Sequence, residues 1–321
     1  MVSITPRRGR SSRAGGRGYR RVDRSSTPAY GAPMEPGQPS RTAIGAAAHR
    51  AVHQVLEHGA IFHDPLAIPI LGDDFEPALA EARSDPSRRR LRLFIAVRTR
   101  FAEDALERAV ESGVGQLVVL GAGLDTYAYR TRLADRLRMY EVDHPATQTW
   151  KRRRLAAIGI AAPATLTYAP VDFERETLDH GLVAAGFDPA KPSFFTWLGV
   201  VPYLTTAAVM ATLACIGGLP GGAEVVFDYP NPPGPSDPPE LTAARAALAA
   251  RVAAVGEALQ SAFETDTLHD DLHALGFRTI EDLGPPAIRE RCFPVSAGQD
   301  TSLARAADPD RGAHLARASS R

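Results

Sequence analysis

The apolar run Leu117 to Leu120 leads directly into Gly121-Ala122-Gly123. A strand that enters Gly-x-Gly and then a helix lets a ligand approach the backbone at the carboxyl end of a sheet. A dinucleotide fingerprint takes a third glycine at position 126, where this chain has Thr126, and Asp125 stands at the helix start, where a pyrophosphate would lie. An anion there repels a diphosphate, whereas the same carboxylate suits a ligand carrying an ammonium and a sulfonium. The pattern therefore favours S-adenosylmethionine over NAD.

Asp143 follows Gly123 by 20 residues at the end of the next apolar run, a place from which a carboxylate accepts both hydroxyl hydrogens of a ribose. Glu141, two residues earlier and on the same strand face, competes for that role. Transfer of a methyl group from a sulfonium needs positioning more than covalent help. An ionised carboxylate acceptor asks for no base, whereas a hydroxyl acceptor does. His144, Tyr203 and Asp228 stand near strand ends as candidates for a base, and His144 and Tyr203 are the catalytic candidates retained. His49 and His53 are one helical turn apart, but without a third ligand at a defined spacing they do not make a zinc motif. No metal is expected.

These groups need a scaffold, and the hydrophobic pattern supplies one. Ile44, Ala48, Val52, Val55 and Leu56 line one face of a helix that ends at HDPLAIPIL, and a second helix is expected from about Arg88 to Glu111. Strands are expected at Leu117 to Leu120, Met139 to Asp143, Thr165 to Val171, Ser193 to Val201 and Ala223 to Tyr229, with helices between them such as Ala146 to Ile158 and Thr206 to Ile216. That alternation predicts an α/β fold, a mainly parallel sheet with helices on both faces. PNPPGPSDPPE breaks the rhythm after Tyr229, and an Ala-rich helix with Leu241, Leu248, Val252, Val255 and Leu259 on one stripe follows.

Composition narrows the function classes. Lys plus Arg and Asp plus Glu each total 37, yet residues 1 to 24 alone carry a net +7, leaving an acidic remainder of −7. An acidic body argues against nucleic acid as a partner, since phosphate binding needs a basic face. Two cysteines, Cys215 and Cys292, outside any C-x-x-C pattern fit a reducing cytoplasm. The uncharged stretch Pro192 to Ala223 is interrupted by Pro202, Gly217, Gly218 and Pro220, so no membrane span is expected. Residues 1 to 40, rich in Arg, Gly, Ser and Pro, are expected to be a disordered tail. The last 20 residues, ending in HLARASSR, are expected to fray.

LVVLGAGLDTYAYR, YEVDHP, PVDFE and FFTWLGVVPYLT, with HDPLA and RTRFAED upstream, resemble the leucine carboxyl methyltransferase family and its bacterial branch of S-adenosylmethionine-dependent methyltransferases. The resemblance covers roughly Ala43 to Pro230. It implies a class I methyltransferase fold, Rossmann-like, with an N-terminal helical lid and the cofactor at the strand tips. Arg98 matches the family's arginine that pairs with the methionine carboxylate, with Arg100 as its neighbouring alternative. Gly121 matches the loop glycine, Asp143 the ribose acid, and Asp172 with Phe173 the pair at the adenine. Arg50 aligns with a basic residue that reaches the cofactor carboxylate. Leu198 departs from the family, which carries a glutamate there near the methionine ammonium.

The expected organisation is a tail over 1–40, a methyltransferase domain over 41–300 and a C-terminal tail over 301–321. Within the domain, 41–112 form the lid and lead-in helix, and 113–300 the Rossmann-like core with a helical insertion near 241–275. The expected activity is cytoplasmic S-adenosylmethionine-dependent O-methylation of a small-molecule carboxylate or hydroxyl. The alternative is a catalytically weak relative that binds the cofactor for regulation or scaffolding.

Overall fold

Alternate residues of the central strands face opposite helical layers, the pattern of a sheet buried on both sides. A computed structural model describes residues 39–171, 177–235, 237–254, 256–292 and 311–321. The strands are β1 (Gln116–Leu120), β2 (Arg138–Asp143), β3 (Leu166–Pro170), β4 (Ser193–Trp197), β5 (Ala223–Pro230), β6 (Thr279–Leu283) and β7 (Ala313–Ser319). They form a seven-stranded sheet in the order β3-β2-β1-β4-β5-β7-β6. β1 to β5 run parallel, and β7 runs antiparallel to both β5 and β6.

In register, Val118 lies beside Tyr140 and Phe195, and Phe195 beside Val225. This row packs under α7 (Leu178–Ala184), α8 (Thr206–Gly217) and α10 (Thr265–Ala274), whose Leu182, Val209, Leu213 and Leu272 are buried in the same cluster. On the other face Leu117, Met139, Phe194 and Val226 meet Val97, Phe101 and Leu106 of α4 (Arg89–Glu111) and Ile288 of α11 (Pro285–Cys292). A third cluster joins α1 (Arg41–Leu56), α2 (Ala67–Leu71) and α3 (Phe75–Ser84) through Ala51, Ile70 and Phe75, and reaches the main domain at Leu124 and at Leu155 of α6 (Pro145–Ala157). The short α5 (Tyr127–Arg130) follows the glycine loop, and α9 (Pro239–Ala254) follows the proline-rich segment.

Several expectations are corrected. The last residues do not fray: β7 lies between β5 and β6, with Leu315, Ala316 and Ala318 fully buried. Its Ala-rich sequence has little intrinsic strand preference, and cross-strand partners supply what propensity lacks. One such partnership is Arg317 donating to Glu224 at 2.6 and 2.9 Å. The fourth strand ends at Trp197 rather than Val201, because Gly199 takes φ +71° and turns the chain. The Ala-rich helix is described over Pro239–Ala254; Val255 lies outside the described residues, and Leu259 lies outside the helix. Among the described residues no helix is long and apolar enough to cross a membrane. The Arg-rich segment over residues 1–38, and both Asp172 and Phe173, lie outside the described residues.

Candidate functional site

β1 and β4 are neighbours, but the chain leaves β1 toward β2 and β4 toward β5, so their carboxyl ends flank a topological switch point, where open α/β sheets bind ligands. A cavity of about 1680 Å³ opens there, floored by the segments after β1, β2, β4 and β5 and covered by α1, α4 and α9. Gly121 starts the first of these segments at φ +62°, and a Cβ on it would collide with the Val200 side chain. The glycine is required by both the backbone angle and the close approach.

Asp143 ends β2 at this floor. One carboxylate oxygen accepts from Gly123 N and the other from His144 N at 2.6 Å, while burial pushes its pKa upward. Glu141, its rival, is 1% exposed and takes the Lys151 ammonium at 2.8 Å, so it is closed off from the cavity. Burial still raises Glu141 to about 7 despite that cation. The strand thus carries a structural acid and, two residues on, an acid at the cavity whose free lone pairs can accept from a ligand.

Arg98 and Arg100 separate equally clearly. Arg98 lines the cavity and donates through Nη1 to Asp228 Oδ2 at 2.8 Å, while Gly199 N donates to Asp228 Oδ1 at 2.5 Å. Arg100 pairs with Asp104 at 2.6 Å on the exposed side of α4. Gly199 also lets Arg98 lie against the loop, since a Cβ there would sit 2.5 Å from Nη2. Arg50 is buried with Nη2 donating to Leu124 O, lies 4.0 Å from Asp125, and its Nε has no partner among the described residues. Asp125 itself accepts from Tyr127 N at 2.8 Å.

The position that lacks the third glycine has its own use. Thr126 Oγ1 donates at 2.7 Å to Asp64, which also accepts from Leu66 N at 2.9 Å and lies 3.6 Å from Arg130 Nε. Arg130 in turn donates to Glu103 Oε2 at 3.0 Å. This buried network fastens the HDPLA turn and α4 to the glycine loop. In the sequence Asp64 stands out only as part of the HDPLA stretch that ends the first helix. Its side-chain partners, Thr126, 62 residues away, and Arg130 are remote along the chain, and only an acid that folding leaves fully buried could have signalled them.

The base candidates are poorly suited to removing a proton. His144 caps α6, its Nδ1 accepting from Ala146 N at 3.2 Å. Burial pushes the Tyr203 phenol up to about 12. Asp228 is engaged by Arg98 and Gly199, and Leu198 adds only apolar surface to the cavity. His49 also lines the cavity, where burial and the charges of Arg88, Arg92, Arg251 and Arg98 lower it to about 3. His53 faces away, fully buried with Nδ1 3.3 Å from Glu57 Oε2.

The cover is joined to itself by Glu257. Its carboxylate accepts from Ser40 Oγ and Arg41 N at 3.0 Å and from Thr42 Oγ1, at the N-terminus of α1. The residues after it are stitched to the floor by Gln260 N to Pro202 O and Gln260 Nε2 to Tyr203 O, both 2.7 Å.

The sheet order, the glycine loop and the acid ending β2 define the class I methyltransferase fold. A solved structure from Thermobifida fusca YX, described as a "putative methyltransferase", superposes with a TM-score of 0.52 at 14% identity, covering 88% of this chain and 95% of that one. The leucine carboxyl methyltransferase family model matches residues 43–217, and the chain belongs to that family. It is 36% identical over 192 residues to a Frankia alni protein named "Putative S-adenosyl-L-methionine-dependent methyltransferase", covering 58% of this chain and 66% of that one. A Bacillus subtilis protein of the same printed description is 32% identical over 205 residues, covering 61% and 64%. The chain thus spans just under two thirds of the length of these relatives.

Proposed function

We propose that the protein is an S-adenosyl-L-methionine-dependent methyltransferase that methylates an oxygen of a small-molecule acceptor, a carboxylate in preference to a hydroxyl. The observation that carries the cofactor reading is Asp143: a carboxylate held open at the switch point by Gly123 N and His144 N, beside a glycine loop. The donor set fits an adenosyl ligand with a charged amino-acid tail. Asp143 accepts the two ribose hydroxyls. Arg98 offers the Nη2 that Asp228 leaves free, and Arg50 its orphaned Nε, to the carboxylate of the tail. Gly121 and Gly123 keep the floor low enough for close approach. Asp172 and Phe173 belong at the adenine by the family resemblance.

The bound cofactor supplies a methyl group already activated by its sulfonium. What this chain's residues add is orientation and exclusion of water. The preference for a carboxylate rests on the base candidates: His144 Nδ1 is used as a cap, Tyr203 is held protonated near neutral pH, and Asp228 is ion-paired. A carboxylate is already ionised and needs none of them. A cytoplasmic location accompanies this reading.

The test is transfer of labelled methyl to a panel of carboxylic acids and phenols, followed by a pH profile on each hit. The expected rate is flat from about pH 6 to 9, with little loss in Tyr203→Phe or His144→Gln. A rate that climbs with pH and falls about 100-fold in one of these variants would make the acceptor a hydroxyl. Leu198, where the family carries glutamate, favours the second reading, a weak catalyst that binds cofactor for regulation. Cofactor binding without transfer to any acceptor would favour it.

A further inference from the structure

The cavity has two ends. Arg98 marks one, at the strand tips with Asp228 and Gly199. Arg88, the residue that caps α4, marks the other, ten residues back or about 15 Å along the helix axis. Between them α4 presents Leu91, Phe94 and Ile95 to the cavity, and α9 faces these with Leu248 and Val252. The far end is therefore an apolar channel that finishes in charge.

Arg88, Arg251 and His49 all line the cavity, and the charges of Arg88 and Arg251 both reach His49. Arg88 pairs through Nη1 with the exposed Glu81, and its Nε is buried without a partner among the described residues. Arg251 lines the cavity from α9 and makes no hydrogen bond or ion pair with any described residue, although its field reaches Asp85 beside Arg88. His49 projects from α1, only 8% exposed and without a hydrogen-bond partner among the described residues. The other cations near it are engaged in part: Arg92 takes both oxygens of Glu57 at 2.8 Å but does not line the cavity and keeps a buried Nη1 without a partner among the described residues, Arg98 takes Asp228, and Arg50 donates to Leu124 O with its Nε left open.

The acids lining the cavity do not neutralise this end. Asp143 and Asp125 take backbone N–H groups, Asp228 takes Arg98, Asp237 takes Arg245 at 2.5 Å, and Glu257 takes the start of α1. Among the described lining acids only Asp74, on the exposed surface, has no such partner. A neutral imidazole beside two guanidinium groups, one with a buried unsatisfied N–H and one with no partner, is arranged to receive a negative charge.

We propose that the far end of the cavity is an anion subsite in which Arg88, Arg251 and His49 hold a negatively charged group at the distal end of an elongated, largely apolar methyl acceptor. It rests on the methyltransferase reading above, and it adds that the acceptor carries an anchor separate from the atom methylated at the strand tips.

The test uses 4-phenylbutyrate and its neutral isostere 4-phenylbutyramide as probes of the full-length protein, by calorimetry with and without saturating S-adenosylhomocysteine. The acid is expected to bind at least tenfold tighter than the amide. Arg251→Gln and Arg88→Gln should each cut acid binding about fivefold or more and leave amide binding unchanged, while Arg251→Lys retains the preference. Equal binding of acid and amide, or a preference that survives the Arg88→Gln/Arg251→Gln double variant, would overturn the subsite. Failure of S-adenosylhomocysteine to bind would instead remove the methyltransferase reading, and the acid-to-amide ratio in its absence would still decide whether the subsite exists.

Discussion

At the floor of the cavity Asp143 and Asp228 are held by the backbone N–H groups of Gly123, His144 and Gly199, whereas the cover meets the cavity with side chains, His49 from α1, Arg88 from the turn that caps α4 and Arg251 from α9. Backbone donors are fixed by the parallel sheet and change little when surface residues change. Side chains on α1, α4 and α9 depend on a few contacts such as Glu257 with Ser40 and Arg41, and Arg92 with Glu57. On the proposed function the contrast separates two tasks: a floor suited to an invariant cofactor and a cover whose residues would select the acceptor.

The largest effect should come from below the floor. Lys151→Met strands Glu141 in a fully buried position, costing about 3–5 kcal/mol of unfolding free energy at pH 8. Because the folded-state pKa of Glu141 is raised, the folded protein binds more protons than the unfolded one, so stability falls with rising pH and part of the loss should be recovered at pH 5. Denaturant melts at both pH values check this. Asp143→Ala should do the reverse: S-adenosylhomocysteine affinity falls by about 2–4 kcal/mol as two hydrogen bonds to a charged acceptor are lost, while stability changes by about 1 kcal/mol. If the two variants exchanged phenotypes, the division of labour along β2 would be wrong.

In the cover, burial alone would raise Glu57, but hydrogen bonds from His53 and Arg92 outweigh it and bring the carboxyl down to about 2. A depressed pKa contributes stability that is present above the ordinary value of 4.5 and is lost as the pH falls from there toward 2. Acid titration followed by circular dichroism should show Glu57→Gln lacking that part of the acid transition. The smallest effect is expected from Glu257→Gln, which weakens the capping of α1 by about 1 kcal/mol. Faster amide exchange at residues 41–46, with the strands unaffected, would register it.

The parallel half of the molecule was legible because its strands are continuous apolar runs and its loops carry glycine at positive φ, as at Gly121. β7 was not, since Ala313–Ser319 has neither β-branched residues nor an apolar run, and its place depends on β5 and β6. Asp143 was legible from its distance after Gly123, whereas the pairing that turns Glu141 away from the cavity comes from Lys151, ten residues further on α6. The contacts of Asp228 with Arg98 and of Glu257 with Ser40 span 130 and 217 residues, and no local pattern announces them.

The central claim is that the floor recognises an adenosyl group with an amino-acid tail and not a diphosphate. Calorimetric titration of the full-length protein with S-adenosylhomocysteine and with NAD tests it most directly. One-to-one binding of S-adenosylhomocysteine at micromolar order, about −8 kcal/mol, is expected, with NAD far weaker because Asp125 opposes a pyrophosphate at the glycine loop. Tighter binding of NAD than of S-adenosylhomocysteine would contradict it.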